Sequence, residues 1–165
     1  ALYVDVKEQF QKKDFIPDAN STLRLTFGKI EGYSPADALY ASPITTVRGI
    51  IEKTRSEEPY NTPQKLIDLY KAKNFGRYMH KKLKDVPVAL LYNLDTTGGN
   101  SGSPLLNAKG EIVGVNFDRA YGATINDYAW SEDYSRSIAV DIRYVLWVTE
   151  KFAGAEHLLK EMGVN

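Results

Sequence analysis

Ser101 sits in the run Asp95-Thr96-Thr97-Gly98-Gly99-Asn100-Ser101-Gly102-Ser103-Pro104, the segment of this chain best equipped for chemistry. A serine hydroxyl serves as a nucleophile when it stands on an exposed tight turn, with backbone N–H groups aimed at the oxyanion developing on the attacked carbonyl. Glycines on both sides of Ser101 open positive φ to the backbone and let those donors approach a substrate. The N–H groups of Gly99 and Ser101 are spaced to form such an oxyanion hole. Two other uses of a glycine-rich loop fail on the residues. A phosphate-binding loop needs Gly-Lys-Ser/Thr after its glycines, and no Lys follows here. A hydrolase elbow of Gly-x-Ser-x-Gly form leads into a helix; here position 103 is Ser and the chain after Pro104 reads as strand. The plain alternative is a glycine turn between two strands.

Composition narrows the chemistry further. The 165 residues contain no Cys, which excludes thiol catalysis, disulfide frameworks and Cys-based zinc sites. Two histidines, His80 and His157, are too few for a His-rich metal site, and no metal or cofactor is expected. Lys plus Arg equals Asp plus Glu at 21 each, so no excess of basic charge supports a nucleic-acid partner. No apolar run reaches the ~20 residues that span a bilayer. The chain starts Ala1-Leu2-Tyr3 without Met or a signal peptide, and it is expected to be a piece of something longer.

The elements that must position Ser101 follow from periodicity and punctuation. Residues 1–13 read as a short helix, with Val6 and Phe10 four apart, and Pro17 to Asn20 as a turn. Thr22 to Phe27 alternates, with Leu23, Leu25 and Phe27 on one face, the pattern of a half-buried strand. Gly28 to Pro43 reads as loop, Thr45 to Glu52 as a second strand. Thr62-Pro63 reads as an N-cap with Pro at the first helical position, opening a helix through Leu66, Leu69 and Tyr70. Arg77 to Lys84 reads as a basic helix, and Val86 to Tyr92 is an apolar run. Ser103–Asn107 and Glu111–Phe117 flank Ala108-Lys109-Gly110 as a hairpin, and Ser137–Val140 is a last strand. The aromatic residues between Tyr121 and Tyr134 are expected to pack locally. Asp141 should N-cap a helix ending near Gly154, followed by a shorter one with Leu158, Leu159 and Met162. Helices at both ends with strands between give an α+β class, mainly β with peripheral helices. One domain is expected over 1–165: a leading helix and linker at 1–20, a barrel with a helical insertion at 21–140, and C-terminal helices at 141–165.

Gly99-Asn100-Ser101-Gly102-Ser103-Pro104, followed by Gly110-Glu111-Ile112-Val113-Gly114-Val115, resembles the nucleophile region of chymotrypsin-fold serine peptidases. With the Val115-Asn116-Phe117-Asp118-Arg119 strand end and the tail from Ser137 to Val145, it is more similar still to one bacterial branch: dipeptidyl-peptidases that insert a helical domain into a chymotrypsin-type double barrel. The resemblance implies that this chain forms the second barrel and that Ser101 is the nucleophile. It also implies that Arg119, eighteen residues beyond Ser101, reads an Asp or Glu side chain in the second position of an oligopeptide substrate. A guanidinium suits that task because its fork matches a carboxylate bidentately and keeps its charge. In the family, members preferring apolar residues carry a small residue there. Asp118 is implied to hold the substrate's N-terminal amine, although an Asp in a turn reads equally well from the residues alone. Phe117 lines the pocket or, as an alternating strand aromatic, joins the core.

A Ser triad needs a His base and an Asp that orients it, and in this fold both precede the Ser on the first barrel. His80, 21 residues before Ser101 in a basic stretch, and His157, after the nucleophile, both read as solvated helix residues. The resemblance therefore implies a C-terminal part of a longer peptidase, inactive alone, with His and Asp supplied by the remainder. It further implies a homodimer when full-length, in the periplasm or at the surface of a Gram-negative bacterium. Two other functions fit less well: a Glu-specific endopeptidase of the same fold, which needs no amine anchor, and a non-catalytic peptide-binding barrel.

Overall fold

The computed structural model describes residues 2–13, 23–126 and 128–164. Its centre is a five-stranded antiparallel sheet in the order β3-β4-β7-β6-β5. The strands are β3 (Ile44–Thr46), β4 (Pro87–Tyr92), β5 (Pro104–Leu106), β6 (Ile112–Arg119) and β7 (Ser137–Asp141). A separate hairpin joins β1 (Tyr33–Ala36) to β2 (Leu39–Ala41), within the stretch that reads as loop in the sequence; its turn holds Ala38 at φ 60°. The α+β class is as expected. The described strands form an open sheet, with β3 and β5 as its edges.

The neighbouring interior strands β4 and β7 are the best buried, β4 through its apolar run and β7 with Ala139 and the polar Ser137 and Asp141 turned inward. Alternate residues of the β4 segment divide its inner face between two clusters. Val86 packs with Val47, Leu66, Phe75, Tyr78 and Trp147 beneath the helices, while Leu90 and Tyr92 join Ala139 nearer the serine loop. Trp147 satisfies its indole by donating Nε1–H to the Asn74 carbonyl at 2.9 Å.

The helices are α1 (Leu2–Gln11), α2 (Val47–Lys53), α3 (Gln64–Lys71), α4 (Ile142–Trp147) and α5 (Glu156–Glu161). Asp141 caps α4 as expected: Oδ1 accepts the Arg143 N–H at 2.9 Å, and the Arg143 guanidinium grips both carboxylate oxygens. A π-helical segment, Val148–Phe152, continues α4 towards Gly154.

Four local expectations are corrected. The strand over Thr45 to Glu52 ends at Thr46, and α2 takes over. Val47, Ile50 and Ile51 have helical spacing, and the cap comes from afar: Asp85 Oδ2 accepts the Arg48 N–H at 3.0 Å. Thr62 does not cap α3; Pro63 occupies the cap position, and the Thr62 hydroxyl pairs with that of Thr54 at 2.8 Å. Arg77 to Lys84 is not a helix. Gly76–Tyr78 is one 3-10 turn, and His80 then bridges to Asp85 across a tight turn with Lys84 at φ 57°. Leu23, Leu25 and Phe27 belong to no strand and lie exposed, because alternation yields a strand only where a partner ladder exists. Only Ile30, further on, makes an isolated bridge to Tyr92. The turn expected at Pro17 to Asn20 lies outside the described residues, as does Thr22.

Candidate active site

The loop between β4 and β5 is built on glycines in left-handed conformations, Gly99 at φ +96° and Gly102 at φ +88°. A side chain at either position would strain the backbone although no atom lies within 4 Å of a Cβ placed there. Ser101 stands exposed between them. Its hydroxyl donates a long hydrogen bond, 3.4 Å, to the Phe117 carbonyl. Among the described residues the N–H groups of Gly99 and Ser101 donate to no acceptor, whereas Asn100, Gly102 and Ser103 donate to Thr97, Asn116 and Asn100 carbonyls at 2.8–3.2 Å.

The strand facing this loop is not regular. Asn116 pairs with Ala139, but Asp118 pairs with the next residue, Ile138, so Phe117 is an extra residue in β6. A β-bulge of this kind re-aims the side chains that follow it. Strict alternation would put Phe117 and Arg119 on one face and Asp118 on the other. All three instead line one small cleft, of about 140 Å³, together with Thr96, Thr97, Gly98, Ser101 and Asn116. Phe117, in the lining of the cleft, is 50% exposed and so is no core residue. The exposed Asp118 carboxylate accepts the Arg119 N–H through Oδ1 at 2.8 Å. Arg119 is half-buried, its Nη1 reaching 3.5 Å from the Ala123 carbonyl in the 3-10 turn Tyr121–Ile125. The cleft thus joins Ser101, Phe117, Asp118 and Arg119; Gly99 belongs to the turn above it and not to the lining.

Residues 1–164 match the family model of peptidase S46. The chain belongs to that family. It is 46% identical over 156 residues to an Asp/Glu-specific dipeptidyl-peptidase of Flavobacterium psychrophilum, covering 94% of this chain and 22% of that protein. It is 41% identical over 158 residues to a dipeptidyl-peptidase 7 of Phocaeicola vulgatus, covering 95% and 22%. The crystal structure of Porphyromonas endodontalis DPP11 in complex with the dipeptide Arg-Glu superposes with a TM-score of 0.88 at 40% identity, covering 98% of this chain and 23% of that one. The chain therefore spans less than a quarter of the length of these S46 relatives.

Neither histidine of this S46 chain lines the cleft. His80 is tied into its own turn, where Nδ1 accepts the Leu83 N–H at 3.2 Å, and His157 is exposed on α5. The aromatic stretch after Arg119 does not pack as expected: Tyr121, Tyr128 and Trp130 are exposed, and Tyr128 meets Tyr3 of α1 edge-on at 6.2 Å between ring centres.

Several polar residues of the site escape sequence reasoning. Thr96 is buried beside the cleft, its hydroxyl 2.6 Å from that of Ser137, which donates to the Leu94 carbonyl at 3.1 Å. Asn116 is buried with both ends of its amide engaged, by Asn100 and by Tyr92. For Asn116 and Ser137 the only signal is a polar residue at an inward position of a strand, which needs a partner that the sequence does not name; Thr96 lies in the loop after β4 and lacks even that.

Proposed function

We propose that this chain is the nucleophile-bearing part of an Asp/Glu-specific dipeptidyl-peptidase, acting on oligopeptides through an acyl-enzyme at Ser101. One observation carries the reading: the bulge in β6 sets Phe117, Asp118 and Arg119 around the same cleft as the exposed Ser101 hydroxyl. The names of the curated relatives support dipeptidyl-peptidase activity, and those named Asp/Glu-specific support the acidic preference.

In this reading Ser101 Oγ attacks the carbonyl carbon of the substrate's second residue. Its proton passes to a histidine, held by an aspartate, that the remainder of the full-length protein supplies. The oxyanion of the tetrahedral intermediate takes up the two N–H groups of Gly99 and Ser101 that have no acceptor of their own among the described residues. Collapse expels the shortened peptide's amine, which leaves with the proton from that histidine, and water then releases the dipeptide. Arg119 binds the acidic side chain as a guanidinium–carboxylate pair. Asp118 Oδ2, which accepts no hydrogen bond among the described residues, takes the substrate ammonium and so measures two residues from the free N-terminus. Phe117 forms the apolar wall. The full-length protein is read as a homodimer in the periplasm or at the surface of a Gram-negative bacterium. No helix among the described residues is long and apolar enough to cross a membrane.

The test is Ser101→Ala in the full-length enzyme, assayed with a fluorogenic dipeptide bearing Asp or Glu in second position. Turnover should vanish while binding of the dipeptide product persists. Retained turnover would exclude Ser101 as the nucleophile. Equal cleavage of the same substrate with its N-terminus blocked would favour the endopeptidase reading and remove the role of Asp118.

A further inference from the structure

Asn100 and Ser101 share a peptide plane, and in a trans peptide the carbonyl of one residue and the N–H of the next point in opposite directions. Whatever holds the Asn100 carbonyl therefore aims the Ser101 N–H. Two donors hold it: Asn116 Nδ2 at 3.0 Å and the Ser103 N–H at 3.0 Å. The main chain of Asn116 grips the same loop, accepting from Gly102 N–H at 2.8 Å and donating to the Ser103 carbonyl at 2.9 Å. Asn116 thus binds the residues on both sides of Ser101 and leaves Ser101 itself to the cleft.

The orientation of the Asn116 amide is forced. A carbonyl accepts and cannot donate, so the NH₂ must face Asn100, and the amide oxygen then faces the Tyr92 hydroxyl, which donates to it. Tyr92 is almost wholly buried in the cluster with Leu90 and Ala139. Burial raises its phenol well above the ordinary tyrosine range, so it remains a donor at any working pH. A chain of hydrogen bonds thus runs from the rigid core of β4, through the last regular residue before the bulge, to one peptide plane of the serine loop.

Resting on the reading of Ser101 as nucleophile, we infer that Asn116, fixed by Tyr92, is the positioning residue that aims the Ser101 N–H at the oxyanion. Its contribution falls on the chemical step, because the oxyanion exists only after attack. Removing a whole oxyanion donor costs ~10²–10³ in kcat, and misaiming one while Ser103 still holds the carbonyl costs part of that.

The experiment compares Asn116→Ala, Asn116→Asp, Tyr92→Phe and their combination in the full-length enzyme, beside Ser101→Ala. Asn116→Ala should lower kcat by roughly 10–100-fold with KM within about twofold. Phosphonylation of Ser101 by a peptidyl phosphonate, which also builds charge on an oxygen in the hole, should slow by the same factor. Asn116→Asp keeps shape and the acceptor for Tyr92 but loses the donor, and should fare no better than Ala. Tyr92→Phe, which preserves packing, should lower kcat by a smaller factor, and the double variant should be no worse than Asn116→Ala alone, since both act through one hydrogen-bond chain. An unchanged kcat in Tyr92→Phe and Asn116→Asp, or a loss confined to KM, would overturn the inference. Ser101→Ala separates the two readings. If it retains turnover, the nucleophile assignment fails; if it is inert while the Asn116 variants keep full kcat, only the positioning role fails.

Discussion

A guanidinium at position 119 combines partial burial with a fixed perch. Its backbone is set by the bulge, and Nη1 lies 3.5 Å from the Ala123 carbonyl. In the proposed role it meets a substrate carboxylate in a cleft too small to hydrate both groups fully. Breaking a buried charge pair typically costs about 3–5 kcal/mol, and each ~1.4 kcal/mol is a factor of ten. Because Arg119 is half-buried, the lower end applies. Arg119→Gly should reduce kcat/KM for Asp and Glu substrates by about two to three orders of magnitude, with a much smaller loss for an apolar second residue. Arg119→Lys should recover only part, since a point charge lacks the bidentate fork. Paired fluorogenic dipeptides differing only in the second residue give the measurement. Equal losses on acidic and apolar substrates would make Arg119 a structural residue.

Among the elements, the π-helical segment Val148–Phe152 is joined to the Gly76–Tyr78 turn through one carboxylate. Glu150 accepts from Lys151 Nζ at 2.6 Å and from the Tyr78 hydroxyl, with Arg77 at 3.5 Å. The hydrogen bond from Lys151, then that from Tyr78, holds the Glu150 carboxyl below its ordinary value of 4.5. A depressed carboxylate stabilises the fold above its unfolded pKa, and that contribution is lost as pH falls through the folded pKa. Glu150→Gln should therefore lower the thermal unfolding temperature at neutral pH, and the gap to the parent should close on acidification below about 4.5. A gap that is constant with pH would show that the carboxylate charge does not hold this joint. The same element level shows what the sequence made legible. Hairpin β5–β6, strand β7 and the Asp141 cap rest on local signals, a turn glycine and a side chain two residues from its partner, and all were readable. Helix α2 was misread because its cap, Asp85, lies 37 residues away. Arg77 to Lys84 departs from a helix because a tight turn, closed by the bridge between His80 and Asp85 with Lys84 at positive φ, outweighs helical propensity there. Ser101 could be singled out from residue type and spacing, and Arg119 through the family resemblance, yet the bulge that precedes Asp118 and Arg119 at the cleft has no signature in the residues themselves. Asn116 and Tyr92 were invisible for a related reason, since their partners are fixed by strand pairing between segments 24 residues apart.

At the scale of the whole molecule, the chain brings the Ser101 loop and the Phe117–Arg119 strand end to one cleft but sets neither histidine beside them. His80 is locked to Leu83 and Asp85 in its turn, and His157 faces solvent on α5. A serine hydroxyl that keeps its proton for want of a base attacks poorly, so the carbonyl oxyanion that the backbone donors would stabilise seldom forms. When a triad member is missing, the remaining machinery gives a residual ~10³–10⁴-fold over water, below the reach of an ordinary turnover assay. The isolated 165-residue chain should therefore show no measurable cleavage of Asp or Glu dipeptide substrates, whereas on the proposed function the full-length protein should turn them over. Circular dichroism on the same sample should report mixed helix and strand, so that silence in the assay is read on a folded chain. A complementary measurement uses the phosphonate: it should label Ser101 rapidly in the full-length protein and far more slowly in the isolated chain, because general-base help is missing while the loop geometry is kept. Robust cleavage by the isolated chain, abolished by His80→Ala, would make His80 the base and require its turn to rearrange onto Ser101, overturning the assignment of the base to the rest of the protein.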